Sequence, residues 1–178
     1  MNPYERILGA HAWNQVPAAV RALHSEGEIE GTFQVQRGRG LLARLLGWLL
    51  RLPPAGEAVP IRVQVEREGE RLLWTRWFGT HALRTEERTR DDLLLECRGP
   101  FVIAHRPVLT VEGLDHVQVF AGAGAGRFCV RLPRMLAPRI VASVRAAGDA
   151  ARVEVSVSAP LAGLLIAYGG VARAVVRA

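Results

Sequence analysis

One short segment, Trp74-Thr75-Arg76-Trp77-Phe78, carries the residue types best suited to binding chemistry. Alternate side chains of a β-strand point to the same face, so Trp74, Arg76 and Phe78 share one face. An arginine between two aromatic rings can hold a carboxylate or phosphate head while the rings contact an apolar tail. The alternative is cation–π packing on the outer surface of a sheet. The direction of this face therefore decides between a ligand site and surface packing.

The sequence shows no catalytic or metal-binding pattern. The histidines lack metal-ligand spacing, and no two of them have a sequence relation that indicates a shared site; they are His11, His24, His81, His105 and His116. Cys97 and Cys129 lie in apolar runs, as small buried side chains of a reducing compartment do, and no serine occupies a nucleophile elbow. We therefore expect a non-enzymatic chain without metal or cofactor. An enzyme would need a pocket in which Arg76 meets a histidine or carboxylate of another strand.

Two glycine-rich segments resemble anion-binding loops. Arg37-Gly38-Arg39-Gly40 precedes a predicted helix, so its backbone N–H groups and arginines form a hypothetical anion-binding site. The alternative is a turn that needs glycine torsion angles, with solvated arginines beside it. The segment 121–126, which alternates alanine and glycine, is followed by a predicted strand, so it has no helix N-terminus to hold a pyrophosphate. We interpret that segment as a hairpin loop.

A leucine-rich stretch predicts a helix over residues 40–52. At about 100° per residue, the residues of one narrow sector are Gly40, Arg44, Gly47 and Arg51, while leucines and Trp48 cover nearly all the rest of the circumference. Such a helix needs either a concave protein surface around it or a membrane interface in which to lie. We expect the first arrangement, in which a curved sheet receives the helix.

The other elements predict an α+β fold dominated by antiparallel strands. Apolar residues at three- to four-residue spacing predict helices over residues 3–24, and apolar–polar alternation predicts a strand over 28–36. Regular turn signals then predict an antiparallel meander over 60–177. Because so many sequential hairpins must curl or close, we expect one domain, 1–178. Its sheet is strongly curved, half-barrel or barrel-like, with about eight to ten strands around the leucine-rich helix.

Composition restricts the class of protein. The 178 residues are 49% apolar and carry a net charge of +6. The mixed-sign run over residues 84–92 indicates a solvated surface hairpin and not a nucleic-acid-binding stripe. No run reaches the roughly 18 apolar residues of a membrane span, and the N-terminus lacks the pattern of a signal peptide. We expect a cytoplasmic protein with no nucleic-acid partner and no transmembrane segment.

Several motifs resemble, in order and spacing, a bacterial family of unknown function. These motifs are residues 37–44, 52–56, 59–60, 74–79, 99–100, 136–138 and 160–168. Members of that family occur alone or fused behind an NAD(P)-binding module of the saccharopine-reductase or epimerase kind. The resemblance covers nearly the whole chain and implies a domain that works beside a dehydrogenase. It implies no catalytic residues.

These observations favour binding of an apolar or amphipathic small molecule, lipid-like in one version, in the concavity of the sheet. The predicted ligand-binding residues are Trp74, Arg76, Phe78, Arg44 and Tyr168. The alternative is an interaction module whose leucine-rich helix and arginines contact an NAD(P)-dependent dehydrogenase or an anionic membrane surface. A packed interior would argue against ligand binding, so a hollow or a solid sheet interior is the deciding observation.

Overall fold

The computed structural model describes residues 1–125 and 128–175. Within these ranges, three short helices, one strand and a fourth helix precede a series of strands. The helices are α1 (Pro3–Leu8), α2 (Ala10–Gln15), α3 (Ala18–Leu23) and α4 (Leu41–Leu49). The strands are β1 (Gly27–Arg37), β2 (Gly56–Glu68), β3 (Arg71–Phe78), β4 (His81–Arg90), β5 (Leu93–Arg98), β6 (Phe101–Thr110), β7 (Gly113–Ala125), β8 (Phe128–Arg131), β9 (Arg139–Ala147), β10 (Ala150–Ala159) and β11 (Gly163–Val175).

The strands form a closed antiparallel barrel. Their pairing order is β6-β5-β4-β3-β2-β1-β11-β10-β9-β7, and β7 also pairs with β6, which closes a ring of ten strands. β8 pairs with the end of β7 outside this ring. The expected curved antiparallel sheet is thus confirmed as a barrel with one extra strand. Closure leaves no free edge in the ring, which resolves the edge problem of a long meander.

The N-terminal helices lie across one end of the barrel. Asn2 caps α1 by accepting a hydrogen bond of 2.8 Å from the Tyr4 N–H, and its amide donates to the His24 carbonyl oxygen at the end of α3. Arg6 donates to the Thr89 hydroxyl at the end of β4. These contacts hold the predicted helical segment 3–24 against the strand ends. Its apolar side chains enter the core of the barrel, and they include Tyr4, Trp13, Val16, Val20 and Leu23.

The structure does not confirm that the sheet surrounds the leucine-rich helix. α4 is shorter than the predicted range 40–52 and lies outside the barrel against β11 and β1. Its buried residues are the small ones, Ala43 and Gly47, whereas leucines and Trp48 are exposed. An apolar helix pattern shows that a surface is apolar, not which part of the protein covers it. In this fold apolar side chains of the N-terminal helices enter the interior instead. Among the described residues, none of the helices could span a membrane.

The meander differs from its predicted segments in two places. The two strands predicted over 101–104 and 108–111 are one continuous strand, β6. Most of the predicted glycine loop, up to Ala125, extends β7, because β8 pairs with it there. Gly126 and Arg127 of the predicted loop and strand lie outside the described residues, as do residues 176–177 of the predicted meander.

Candidate binding cavity

The barrel contains a cavity of about 150 Å³ between the N-terminal helices and the strands. The width of a barrel grows with its number of strands, and eight strands already leave room for side chains or one small ligand. The lining is mostly apolar, with side chains that include Leu23, Ile29, Phe33, Ile61, Val63, Ile103, Val144 and Val153. Polar side chains from β3 to β7 and from the N-terminal segment meet inside this lining. The interior is therefore hollow at the level of β3.

Four of the five predicted ligand-binding residues line this cavity. Trp74, Arg76 and Phe78 share one face of β3, as the alternation predicts, and that face points inward, while Tyr168 reaches the same space from β11. The Tyr168 ring packs edge-on against Phe78 with a centroid distance of 5.2 Å. Arg44 is exposed on α4 and does not line the cavity. The inward direction of the β3 face satisfies the geometric condition for a ligand site, while ligand binding itself stays a prediction.

Arg76 is already paired within the cavity. Its guanidinium lies 3.2 Å from the Glu96 carboxylate, donates to the Thr85 hydroxyl at 2.6 Å and stacks above Trp74 at 4.9 Å. Burial is the largest single effect on Glu96 and would raise its pKa, but Arg76, His105 and Thr85 together outweigh burial and hold that pKa below its usual value. An incoming carboxylate would therefore compete with Glu96. The enzyme hypothesis required Arg76 to meet a histidine or carboxylate of another strand, and Glu96 is such a carboxylate. The Arg76–Glu96 pair by itself assigns no reaction.

Glu87 is a second acidic residue of the cavity, and its environment keeps it protonated. The residue is 4% exposed. Burial and then the nearby Glu96 charge raise its pKa to about 8, against the smaller opposing effects of Arg76, Tyr4 and Trp74. Tyr4 and Trp74 lie close enough to act on Glu87 as hydrogen-bonding neighbours, but no hydrogen bond of ordinary distance and angle joins Glu87 Oε1 or Trp74 Nε1 to the described part of the chain. At neutral pH this carboxylic acid can donate a hydrogen bond as well as accept one.

Three histidines meet beside the Tyr4 ring. The His116 ring lies 5.5 Å from that of His24 and 5.0 Å from that of His105, and the Tyr4 and His24 centroids are 4.5 Å apart. Burial lowers the pKa of each histidine, to about 4 for His24, so all three are neutral at pH 7. His24 Nδ1 bonds to the Val20 carbonyl oxygen, whereas Nε2 of His105 and of His116 has no partner among residues 1–125 and 128–175.

The described side chains of this histidine cluster do not have the arrangement of a metal site. Among the described residues, no group of three His, Cys, Asp or Glu side chains has an arrangement that could hold a metal ion. The charges of the cavity also balance, because Arg76 and Glu96 neutralise each other while Glu87 and the histidines are uncharged at pH 7. The arrangement therefore offers hydrogen-bonding groups without a net charge.

Comparison with known proteins identifies the family. A family described as a domain of unknown function, DUF4166, matches residues 16–171. The chain belongs to the DUF4166 family. This finding supports the resemblance to a family of unknown function, and it bears on the fold and not on an activity. The fusion to NAD(P)-binding modules stays a prediction.

Among solved structures, the DUF4166 chain is similar to a crystal structure of a protein of unknown function from the DUF3598 family of Nostoc punctiforme. The TM-score is 0.50 at 10% sequence identity, over 88% of this chain and 49% of that one. The DUF4166 chain thus spans about half the length of that protein, and the likeness shows the fold alone. No curated protein matches the DUF4166 chain.

Sequence reasoning missed the acidic and histidine members of the cavity. Glu87 falls in the run 84–92, which was predicted to be solvated, yet Asp91 and Asp92 form the turn while Glu87 is buried. The register between β3 and β4 indicates that the Glu87 side chain faces inward, since Glu87 pairs with the inward-facing Leu72. His105 and His116 meet across the β6–β7 hairpin, and His24 joins them from the end of α3. The sequence did not show that both hairpin histidines face the interior, nor where the N-terminal helices place His24.

The predicted anion-binding segment lies outside the cavity, where α4 begins. The Arg37 guanidinium donates to the carbonyl oxygens of Leu52 and Pro53 at 2.9 and 3.0 Å, and the Gly38 N–H donates to the Leu165 carbonyl oxygen. Arg37 and Gly38 therefore attach the end of β1 to the segment after α4 and to β11. Arg39 and Gly40 are exposed. An anion site over these four residues stays a prediction.

Proposed function

We propose that the barrel binds one small, uncharged, amphipathic molecule in its cavity. The supporting observation is that two buried polar atoms of the cavity lining, His105 Nε2 and His116 Nε2, have no hydrogen-bond partner in the described part of the chain, while Trp74 Nε1 and Glu87 Oε1 make no hydrogen bond of ordinary geometry there. Each such atom costs about 1–3 kcal/mol when it stays unpaired. Because native proteins pair nearly all buried polar atoms, a bound molecule with a hydroxyl, carbonyl or amide group has a physical basis here.

The charge balance favours an uncharged molecule over the anion expected from Arg76 alone. Arg76 has Glu96 as its counter-ion, so a ligand carboxylate would have to displace the Glu96 carboxylate or lie beside its negative charge. A neutral polar group meets only uncharged partners, which are the acid form of Glu87, the neutral histidines and the Trp74 indole. Phe33, Phe78 and the aliphatic side chains of the lining would contact the apolar part.

The cavity volume restricts the size of the ligand. A cavity of about 150 Å³ in another protein takes up benzene, so a single ring or a short chain matches the volume of this cavity. A lipid-like ligand is consistent with this space only in a short-chain form. An NAD(P)-dependent dehydrogenase as partner stays a prediction, and so does the cytoplasmic location. Small alcohols and carbonyl compounds would suit both the cavity and such a partner.

Benzyl alcohol and benzoate form a matched pair of probes for this proposal. We expect benzyl alcohol to raise the melting temperature and to change the fluorescence of Trp74, and benzoate to bind at least about tenfold more weakly. The test protein carries Trp48→Phe and Trp77→Phe, since Trp48 is exposed and Trp77 does not line the cavity. Trp13 and Trp74 remain in it, so Trp74→Phe on this background should remove the fluorescence change. Equal binding of both probes would contradict the role given to the charge balance.

A cavity-filling variant shows where the probe binds. Ala142→Leu places a larger side chain on the lining, and Ser143→Leu places the same side chain at the next position of β9, outside the cavity lining. We expect the first variant to abolish the benzyl alcohol effect and the second to retain it, with both barrels folded by far-UV circular dichroism. If benzyl alcohol has no effect on the parent protein, water alone satisfies these polar atoms and the proposal fails.

A further inference from the structure

The outward side of α4 is an apolar surface that the described part of the chain leaves uncovered. Its side chains, called here the α4 face, are Leu41, Leu42, Leu45, Trp48 and Leu49. Leu41 is 85% exposed, Trp48 76% and Leu49 65%. At about 100° per residue, the five side chains fall within a sector of roughly 120°. A contiguous exposed apolar patch of this kind marks an interaction surface.

The rest of the segment fixes α4 in this orientation. Ala43 and Gly47 form its buried side, and any side chain at position 47 would collide with the Arg37 guanidinium. That guanidinium is itself fastened to the carbonyl oxygens of Leu52 and Pro53 after the helix. The narrow, small-residue side is therefore docked on the barrel, and the α4 face points outward as a consequence of that docking.

The charged residues of the segment that carries the α4 face are all positive, and the next acidic residue in sequence is Glu57. Residues 31–56 include no acidic residue. Arg39, Arg44 and Arg51 are exposed beside or within the helical segment. In the helical projection Arg44 lies about 40° from Trp48. Leucine and tryptophan with arginine at the flank are typical of a helix that lies in a membrane interface, where the arginines reach lipid phosphates.

A neighbouring turn extends the same surface. Leu161, between β10 and β11, is 94% exposed, with a φ of 66° in the left-handed region that non-glycine residues rarely adopt. The next residue, Ala162, has its carbonyl oxygen 4.0 Å from the position of a Cβ atom on Gly40, directly before α4. An apolar side chain is thus held outward at the start of the α4 face.

We propose that the α4 face and Leu161 dock on the surface of a bilayer that contains anionic phospholipids. The charges select this occupant. A second copy of the chain would bring the same arginines together without an acidic partner from residues 31–56, and an uncharged apolar partner would leave Arg44 without a counter-ion. Anionic headgroups supply those counter-ions and the acyl boundary receives the leucines. The proposal does not rest on a ligand in the cavity.

Sedimentation with vesicles tests the docking of the full chain. One set contains phosphatidylcholine alone and the other includes about 30% phosphatidylserine, to provide a negative surface. We expect binding to the second set to be at least about tenfold tighter at low salt, and to weaken as salt screens the charges. Trp48 emission should shift to shorter wavelength on binding, and Trp48→Phe should remove that change.

Surface variants identify the side chains that carry this docking. Leu45→Ser with Leu49→Ser should weaken binding at least about tenfold, and Arg39→Gln with Arg44→Gln should remove most of the phosphatidylserine preference. Val117→Ser with Val141→Ser, on two exposed valines paired between β7 and β9, is the matched control and should bind like the parent. Far-UV circular dichroism checks that each variant is folded.

Three results would overturn the proposal. The first is no sedimentation with either vesicle, and the second is equal binding to both vesicles at all salt concentrations. The third is an equal loss of binding in the leucine and valine variants, which would show that the α4 face is not the contact. If the chain dimerises in solution, the dimer is lost in the leucine variant and vesicles do not bind, the α4 face belongs to a second copy instead.

Discussion

The buried carboxyl group of Glu87 gives a sharp stability prediction, because its pKa differs by several units between the native and unfolded states. The pKa is about 8 in the barrel and near 4.5 for an ordinary glutamate. Between these pH values the native protein keeps a proton that the unfolded chain has released, so the free energy of unfolding falls as pH rises. At about 1.4 kcal/mol per pKa unit, Glu87 lowers stability by about 3 kcal/mol at pH 7, relative to pH values below 4.5.

Glu87→Gln removes this proton and keeps the shape of the side chain. We expect the stability of the variant relative to the parent to increase by about 3 kcal/mol between pH 5 and pH 8. Urea unfolding at steps of half a pH unit, followed by far-UV circular dichroism, measures this difference. Glu86→Gln, at the neighbouring half-exposed position that pairs with Arg71, is the matched control. Parallel curves for the parent and Glu87→Gln from pH 5 to pH 8 would refute the reasoning.

Three further predictions concern the cavity and the attachment of α4. Glu96→Gln leaves the Arg76 guanidinium unpaired inside the barrel and should lower the free energy of unfolding by urea by about 2–4 kcal/mol. The double variant Arg76→Met with Glu96→Leu should recover most of that loss. An equal loss of stability in the single and the double variant would contradict a paired charge. The pKa of His24 is about 4 in the native state, so the native His24 stays neutral while the unfolded chain takes up a proton there below about pH 6.5. The contribution of His24 to stability should therefore fall from pH 6.5 towards pH 4, opposite in sign to that of Glu87, and the stability of His24→Gln relative to the parent should rise over this range; a constant difference would disprove it. Gly38→Ala places a Cβ against the Leu164 carbonyl oxygen and Ala43 and should lower the free energy of unfolding by about 1–3 kcal/mol. Trypsin should then cleave faster at Arg44. Unchanged proteolysis would show that the close approach at Gly38 does not attach α4 to the barrel.

The sequence predicted which β3 side chains share a face, but not the direction of that face. Alternation assigned Trp74, Arg76 and Phe78 to one face, because the period of two is a local property of the strand. In the closed barrel that face lines the interior. The helix over 40–52 could also be predicted from local sequence, but the surface against which it packs could not. Its apolar circumference suited both a buried and an exposed position, and the N-terminal helices took the buried one.

The chemistry of the cavity could be predicted only in part. Arg76 was visible because an arginine between aromatic residues is unusual, yet its counter-ion Glu96 lies two strands away, with β4 between. Glu87 was hidden in a charged run that is typical of a surface. The histidines come from the end of α3, β6 and β7, so their meeting depends on the pairing that closes the ring. Such long-range convergence follows from topology and leaves no trace in spacing.

The pairing of β1 with β11 has a consequence for how the protein folds. Glu28 lies opposite Val175 and Arg37 opposite Ile166, so the first strand meets its neighbour only after almost the whole chain has been made. Contacts of such large sequence separation slow folding, because the entropy of closing the loop is lost before the pairing compensates for it. Until then β1 and β2 form an open ribbon with one unpaired margin. We therefore expect refolding from denaturant to be slow and prone to aggregation at high concentration, with ring closure as its last step.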